Sequence, residues 1–80
     1  ALSPAGPRHV MNTLAYALFP TPLGFCGIAW NTRALTCVQL PEVDEAATRQ
    51  RMARRFPDLR EDTPPPFVLK AIAAITALLE

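Results

Sequence analysis

Thr21-Pro22-Leu23-Gly24-Phe25-Cys26-Gly27-Ile28-Ala29-Trp30 is the stretch that decides the fold. Proline presets φ for the first central position of a tight turn, and glycine admits the positive φ that closes one. Thr21 to Gly24 is therefore expected to reverse the chain between two apolar runs. The run behind it, Phe25 to Trp30, reads as a strand. Alternation sends Cys26, Ile28 and Trp30 to one face and Phe25, Gly27 and Ala29 to the other. The small residues on the second face predict either close approach of another element or an exposed side. The run before it, Leu14 to Phe19, is short and lacks a helix cap. It reads as the partner strand, although its alanines favour helix.

Working outward, Asn31-Thr32-Arg33-Ala34 has the chemistry of a hairpin loop, with Asn31 expected to use the left-handed region. Leu35 to Leu40 is a third strand, with Val38 and Leu40 on one face and Leu35 and Cys37 on the other. Pro41 ends it, because proline cannot donate to a ladder. Whether Cys26 and Cys37 share a face depends on the loop between them, since a slip of one residue reverses the answer. Asp44 is expected to cap a helix over Glu45 to Phe56. Thr48, Met52 and Phe56 recur at four-residue spacing, with Ala53 beside them, and are expected to face the sheet. Glu45 and Arg49 form an i, i+4 pair, and Arg51, Arg54 and Arg55 fall where the helix dipole favours cations.

Pro57 stops that helix, and Asp58 to Thr63 is a polar loop. Thr63 is expected to cap a second helix whose first turn holds Pro64, Pro65 and Pro66, where missing N–H groups leave no gap. Val68, Ile72, Ile75 and Leu79 then form an apolar stripe with Ala71 and Leu78 between them. Full burial of the four would contribute about 6–10 kcal/mol before entropy is subtracted. The expected fold class is α+β: a three-stranded antiparallel sheet followed by two helices over residues 14–80, preceded by a Pro/Gly-punctuated flexible arm over 1–13.

The 80 residues, half of them hydrophobic, fit one small domain with a thin core. A net charge of +1 argues against a strongly cationic nucleic-acid binder. No apolar run reaches the roughly 18 residues of a membrane span, and no charged leader precedes an apolar one, so a cytoplasmic protein without membrane contact is expected.

The side chains that could carry chemistry were weighed against structural roles. Two cysteines, Cys26 and Cys37, are too few for a disulfide-stapled scaffold. Their spacing fits no common zinc motif, and His9 is the only histidine. A nucleophilic cysteine needs its thiolate held by a neighbouring cation or a helix N-terminus, and apolar strand neighbours supply neither. Arg49, Arg51, Arg54, Arg55 and Arg60 resemble a phosphate-binding set. However, Glu42, Asp44, Glu45, Asp58, Glu61 and Asp62 share the stretch, which favours a solvated helix face. Trp30, Phe25 and Tyr16 read as sheet core rather than as base-stacking platforms. The three glycines form no phosphate loop.

Thr21 to Trp30, continued by Val38-Gln39-Leu40-Pro41 and by Ala47-Thr48-Arg49-Gln50-Arg51-Met52-Ala53-Arg54-Arg55-Phe56-Pro57, resembles the amino-terminal domain of the methylated-DNA–protein-cysteine methyltransferases. These are the alkylguanine-DNA alkyltransferases of direct DNA repair, and the resemblance covers about residues 14–80. It implies a ribonuclease-H-like domain that supports a carboxy-terminal catalytic and DNA-binding domain, with DNA met only through that partner. The family's reactive thiol lies in a Pro-Cys-His-Arg motif of that second domain, and no such motif occurs here. The resemblance therefore assigns no catalytic, cofactor-binding or metal-ligating residue to this chain and implies that it is inactive alone. The alternative reading is a stand-alone interaction or dimerisation module that self-associates through the Phe67 to Leu79 helix.

Overall fold

The computed structural model describes residues 13–80. The expected arm over 1–13 lies outside the described residues except for Thr13, whose hydroxyl is 2.7 Å from that of Thr36. Strands β1 (Ala15–Thr21), β2 (Gly24–Trp30) and β3 (Leu35–Gln39) form one antiparallel sheet in the order β1-β2-β3. Helices α1 (Glu45–Arg55) and α2 (Pro66–Leu78) follow. The α+β class and element order are those expected.

The hairpin turn behaves as its residues require. Gly24 has φ +127°, a region that side-chain-bearing residues rarely adopt. The Thr21 hydroxyl donates to the Gly24 carbonyl at 2.7 Å and accepts from the Leu23 N–H at 3.1 Å. Pairing runs from Thr21↔Gly24 to Ala15↔Trp30, so β1 continues through Pro20, beyond its expected end at Phe19. Proline is tolerated because β1 is an edge strand. The outer edge of β1 is partly covered by the α1–α2 connection. The Asp62 N–H donates to the Tyr16 carbonyl at 2.9 Å, and Tyr16 bridges to Glu61 in parallel.

The second loop closes differently from expectation. No non-glycine residue has positive φ among the described residues, so Asn31 does not use the left-handed region. Its side-chain oxygen instead accepts from the N–H groups of Arg33 (2.8 Å) and Ala34 (2.9 Å), which does the work of a turn without strain. The pairing of β3 also contains an irregularity. Ala29 lies opposite Cys37 but Trp30 opposite Leu35, so Thr36 is the extra residue of a bulge. Leu35 and Cys37 were expected on one face. The bulge sends Leu35 to the Trp30 side and Cys37 to the Ala29 side.

Both faces of the sheet are covered, each by one helix. On one side Ala15, Ala17, Phe19, Cys26, Ile28 and Trp30 pack with Val68 of α2, joined by the half-buried Ala71, Ile72, Ile75 and Leu79. Of the α2 stripe only Val68 is buried, so the stripe contributes less than full burial would. On the other side Tyr16 and Ala29 pack with Met52 of α1, joined by Leu18, Cys37, Phe56 and Leu59. The small second face of β2 therefore marks close approach and not exposure. A Cβ on Gly27 would stand 2.7 Å from Met52 Cγ and Sδ.

Asp44 caps α1 as expected, its carboxylate accepting from the Ala47 N–H at 2.8 Å. Thr48 and Met52 are buried, and Phe56 stacks on Tyr16 with ring centroids 6.2 Å apart. Ala53, expected beside them, is exposed, because it lies about 100° around the helix from Met52. Thr48 ties the helix to the sheet. Its hydroxyl lies 2.9 Å from the Phe25 carbonyl and 3.2 Å from that of Asp44, and it accepts from the Glu42 N–H at 3.0 Å. Thr48→Val keeps the shape but orphans the Glu42 N–H and Phe25 carbonyl. Urea denaturation is expected to show a loss of about 1–3 kcal/mol; a change near zero would mean these bonds contribute nothing net.

Thr63 does not cap α2. The helix starts at Pro66 with Pro65 as its cap residue and no side-chain cap bond. A residue preceding proline is driven from the helical region towards extended backbone. Pro64 and Pro65 are both such residues, so the helix cannot begin before Pro66. No helix among the described residues is long and apolar enough to cross a membrane.

Candidate functional site

The two cysteines are separated by the sheet. Cys26 is fully buried on the α2 side, with its sulfur 4.0 Å from the Thr21 hydroxyl. Cys37 is half-buried on the α1 side among Tyr16, Ala29 and Met52. Both are free thiols, and among the described residues no basic side chain hydrogen-bonds to either sulfur. Neither lies at a helix N-terminus, so the arrangement offers no device for holding a thiolate. His9 lies outside the described residues. Among the described residues no three His, Cys, Asp or Glu side chains converge as a metal site.

The aromatic residues are structural. Trp30 and Tyr16 are each 5% exposed and face opposite helices, and Phe25 is half-buried. None presents a free ring face of the kind on which bases stack.

The arginines of α1 divide into two sets, which the sequence order conceals. Arg49 faces the connection beside β1. It pairs with Glu61 and, at 3.2 Å, with Glu45. Hydrogen bonding to Glu61, chiefly, raises the Arg49 pKa above its ordinary value; desolvation opposes the rise, and hydrogen bonding to Glu45 adds to it. The pair is exposed and worth little in stability, on the order of 0–1 kcal/mol. Its geometric effect is to hold the α1–α2 connection along β1.

Arg51, Arg54 and Arg55 lie away from Arg49 and line an open depression of about 410 Å³. Arg51 meets Glu42 only at 3.9 Å. Arg55 donates to the Gln39 side-chain oxygen at 3.1 Å, and Gln39 in turn donates to the Leu40 carbonyl at 3.1 Å. Arg54 makes no hydrogen bond or ion pair among the described residues. Counting acids and bases along the segment balances these charges; the fold does not, because Glu45 and Glu61 are both committed to Arg49. Sequence reasoning grouped Arg49 with the rest and gave Gln39 no part. The i, i+3, i+4 spacing of Arg51, Arg54 and Arg55 was the available signal. Comparison of the chain with protein-family models, with curated proteins and with solved structures returned no match.

Proposed function

We infer that the chain is the noncatalytic amino-terminal domain of a methylated-DNA–protein-cysteine methyltransferase, with a ribonuclease-H-like arrangement and a cytoplasmic setting. Its role is to support and position a carboxy-terminal catalytic domain that carries the reactive thiol. The observation that supports this reading is how the resembling residues fall on the elements. Thr21 to Gly24 closes the first hairpin, Phe25 to Trp30 lies within β2, and Ala47 to Arg55 lies within α1. The burial of Cys26 supports a chain that does not itself take up alkyl groups, as does the absence, among the described residues, of a basic side chain hydrogen-bonded to either sulfur.

The test is incubation of the chain with duplex DNA carrying alkylated guanine, followed by intact-mass spectrometry. No adduct is expected. A stoichiometric alkyl adduct on Cys26 or Cys37 would overturn the noncatalytic reading. The coding sequence downstream of Glu80 tests the family assignment separately: an open frame with Pro-Cys-His-Arg supports it, and a frame that closes without one defeats it.

A second reading, an interaction module that self-associates through α2, draws on one specific observation. Helix α2 leaves Phe67 and Leu78 exposed on one flank and Leu69 on the other, Leu78 by 84%. Sedimentation velocity over a range of concentrations discriminates. A concentration-dependent dimer supports the module, and a monomer throughout removes it.

A further inference from the structure

We propose that Arg51, Arg54 and Arg55, with Gln39 positioning Arg55, form a phosphate-binding site on the exposed side of α1. Three arginines at i, i+3 and i+4 line one open depression. Each presents a planar fork of donors matched to a phosphate oxyanion.

Two features separate this set from an ordinary solvated helix face. The first is the local charge. Among the described residues Glu42 is the one carboxylate that pairs with any of the three arginines, and at 3.9 Å it does so loosely. The second is orientation without neutralisation. Gln39 is fixed by its own bond to the Leu40 carbonyl and turns its side-chain oxygen to Arg55. An amide holds a guanidinium in place while leaving its charge intact, whereas a carboxylate would cancel it. The carbonyl end of α1 repels anions, so binding falls on the side chains alone.

The shared ligand chemistry is a phosphate group, either of a free phosphate compound or of a nucleic-acid backbone. This inference does not depend on the chain belonging to a methyltransferase. It departs from the expectation that DNA is met only through a partner domain.

The experiment titrates the chain with inorganic pyrophosphate and, separately, with a short fluorescein-labelled DNA duplex at several salt concentrations. Arg54→Gln is the informative variant, because Arg54 has no hydrogen bond or ion pair among the described residues to lose. Arg33→Gln removes the same charge from the β2–β3 loop. For the parent chain a dissociation constant on the order of 10⁻⁴ M is expected for at least one probe at low salt. Arg54→Gln is expected to weaken binding about tenfold, and Arg33→Gln less than about twofold. If the duplex is the ligand, Arg54→Gln also lowers the slope of log affinity against log salt by about 0.9. Binding of pyrophosphate alone assigns the site to free phosphate compounds, and duplex binding assigns it to a backbone. Equal losses in the two variants, or no binding of either probe, would overturn the proposal.

Discussion

Gly27→Ala and Met52→Ala are expected to destabilise the domain separately and to compensate in part when combined. A methyl group on Gly27 would stand 2.7 Å from Met52 Cγ and Sδ and 3.0 Å from Cε. Met52 is wholly buried and Cγ is not the free end of its side chain, so the clash cannot be relieved by swinging the thioether into solvent. Overpacking of this kind costs about 1–3 kcal/mol. Met52→Ala costs about 2–5 kcal/mol by leaving a cavity under the sheet. In the double variant the methyl of position 27 enters space that the methionine has vacated. The combined loss should fall short of the sum by about 0.5–3 kcal/mol. Urea midpoints of the four proteins measure this directly. Additivity within about 0.3 kcal/mol would mean that α1 and β2 are not in contact through this pair.

Ile28→Ala is expected to bring the domain close to global unfolding. Ile28 has no exposed surface and occupies the central strand, opposite Ala17 on one side and Val38 on the other. Its side chain lies in the cluster with Val68, Trp30 and Phe19. The alanines at 15 and 17 cannot expand to fill the space it leaves. A loss of about 2–5 kcal/mol follows. At roughly 0.05–0.15 kcal/mol per residue, the whole chain commands only about 4–12 kcal/mol, so one substitution removes a large share. Trp30 fluorescence reports it, since the tryptophan sits in the same cluster. The urea midpoint should fall by roughly 40% at the middle of these ranges, while Ile28→Val should cost only about 0.5–1.5 kcal/mol. Equal effects of the two variants would show that the volume at position 28 is unimportant.

Much of the fold was legible in the sequence because its signals are local. Gly24 and Pro22 settle the hairpin, Asp44 settles the start of α1, and the alternation of β2 settles which residues meet which helix. What could not be read was non-local or cumulative. The bulge at Thr36 depends on how β3 meets β2, and it alone separates Leu35 from Cys37. The successive prolines each remove helical freedom from the residue before them, so Thr63 lost its role to Pro65 by accumulation. The arginine site is the sharpest case. Its residues were all visible, but Glu61 reaches Arg49 across 12 positions of sequence, and that pairing leaves Arg51, Arg54 and Arg55 with Glu42 as their one paired carboxylate among the described residues.

The two margins of the sheet are not equivalent. On β1 the Tyr16 carbonyl is already committed to Asp62, and Pro20, an even number of residues along, lacks the donor that the same side would offer. On β3 no described segment takes up the outer backbone groups. Among the described residues, β3 is therefore the margin more open to a visiting strand. Docking of a second copy there, β3 against β3, would consume the more open margin of both molecules. Stacking into an endless ribbon requires two receptive margins per subunit. The tether that binds the α1–α2 connection to β1 thus occupies part of the margin that a ribbon would need in addition to β3.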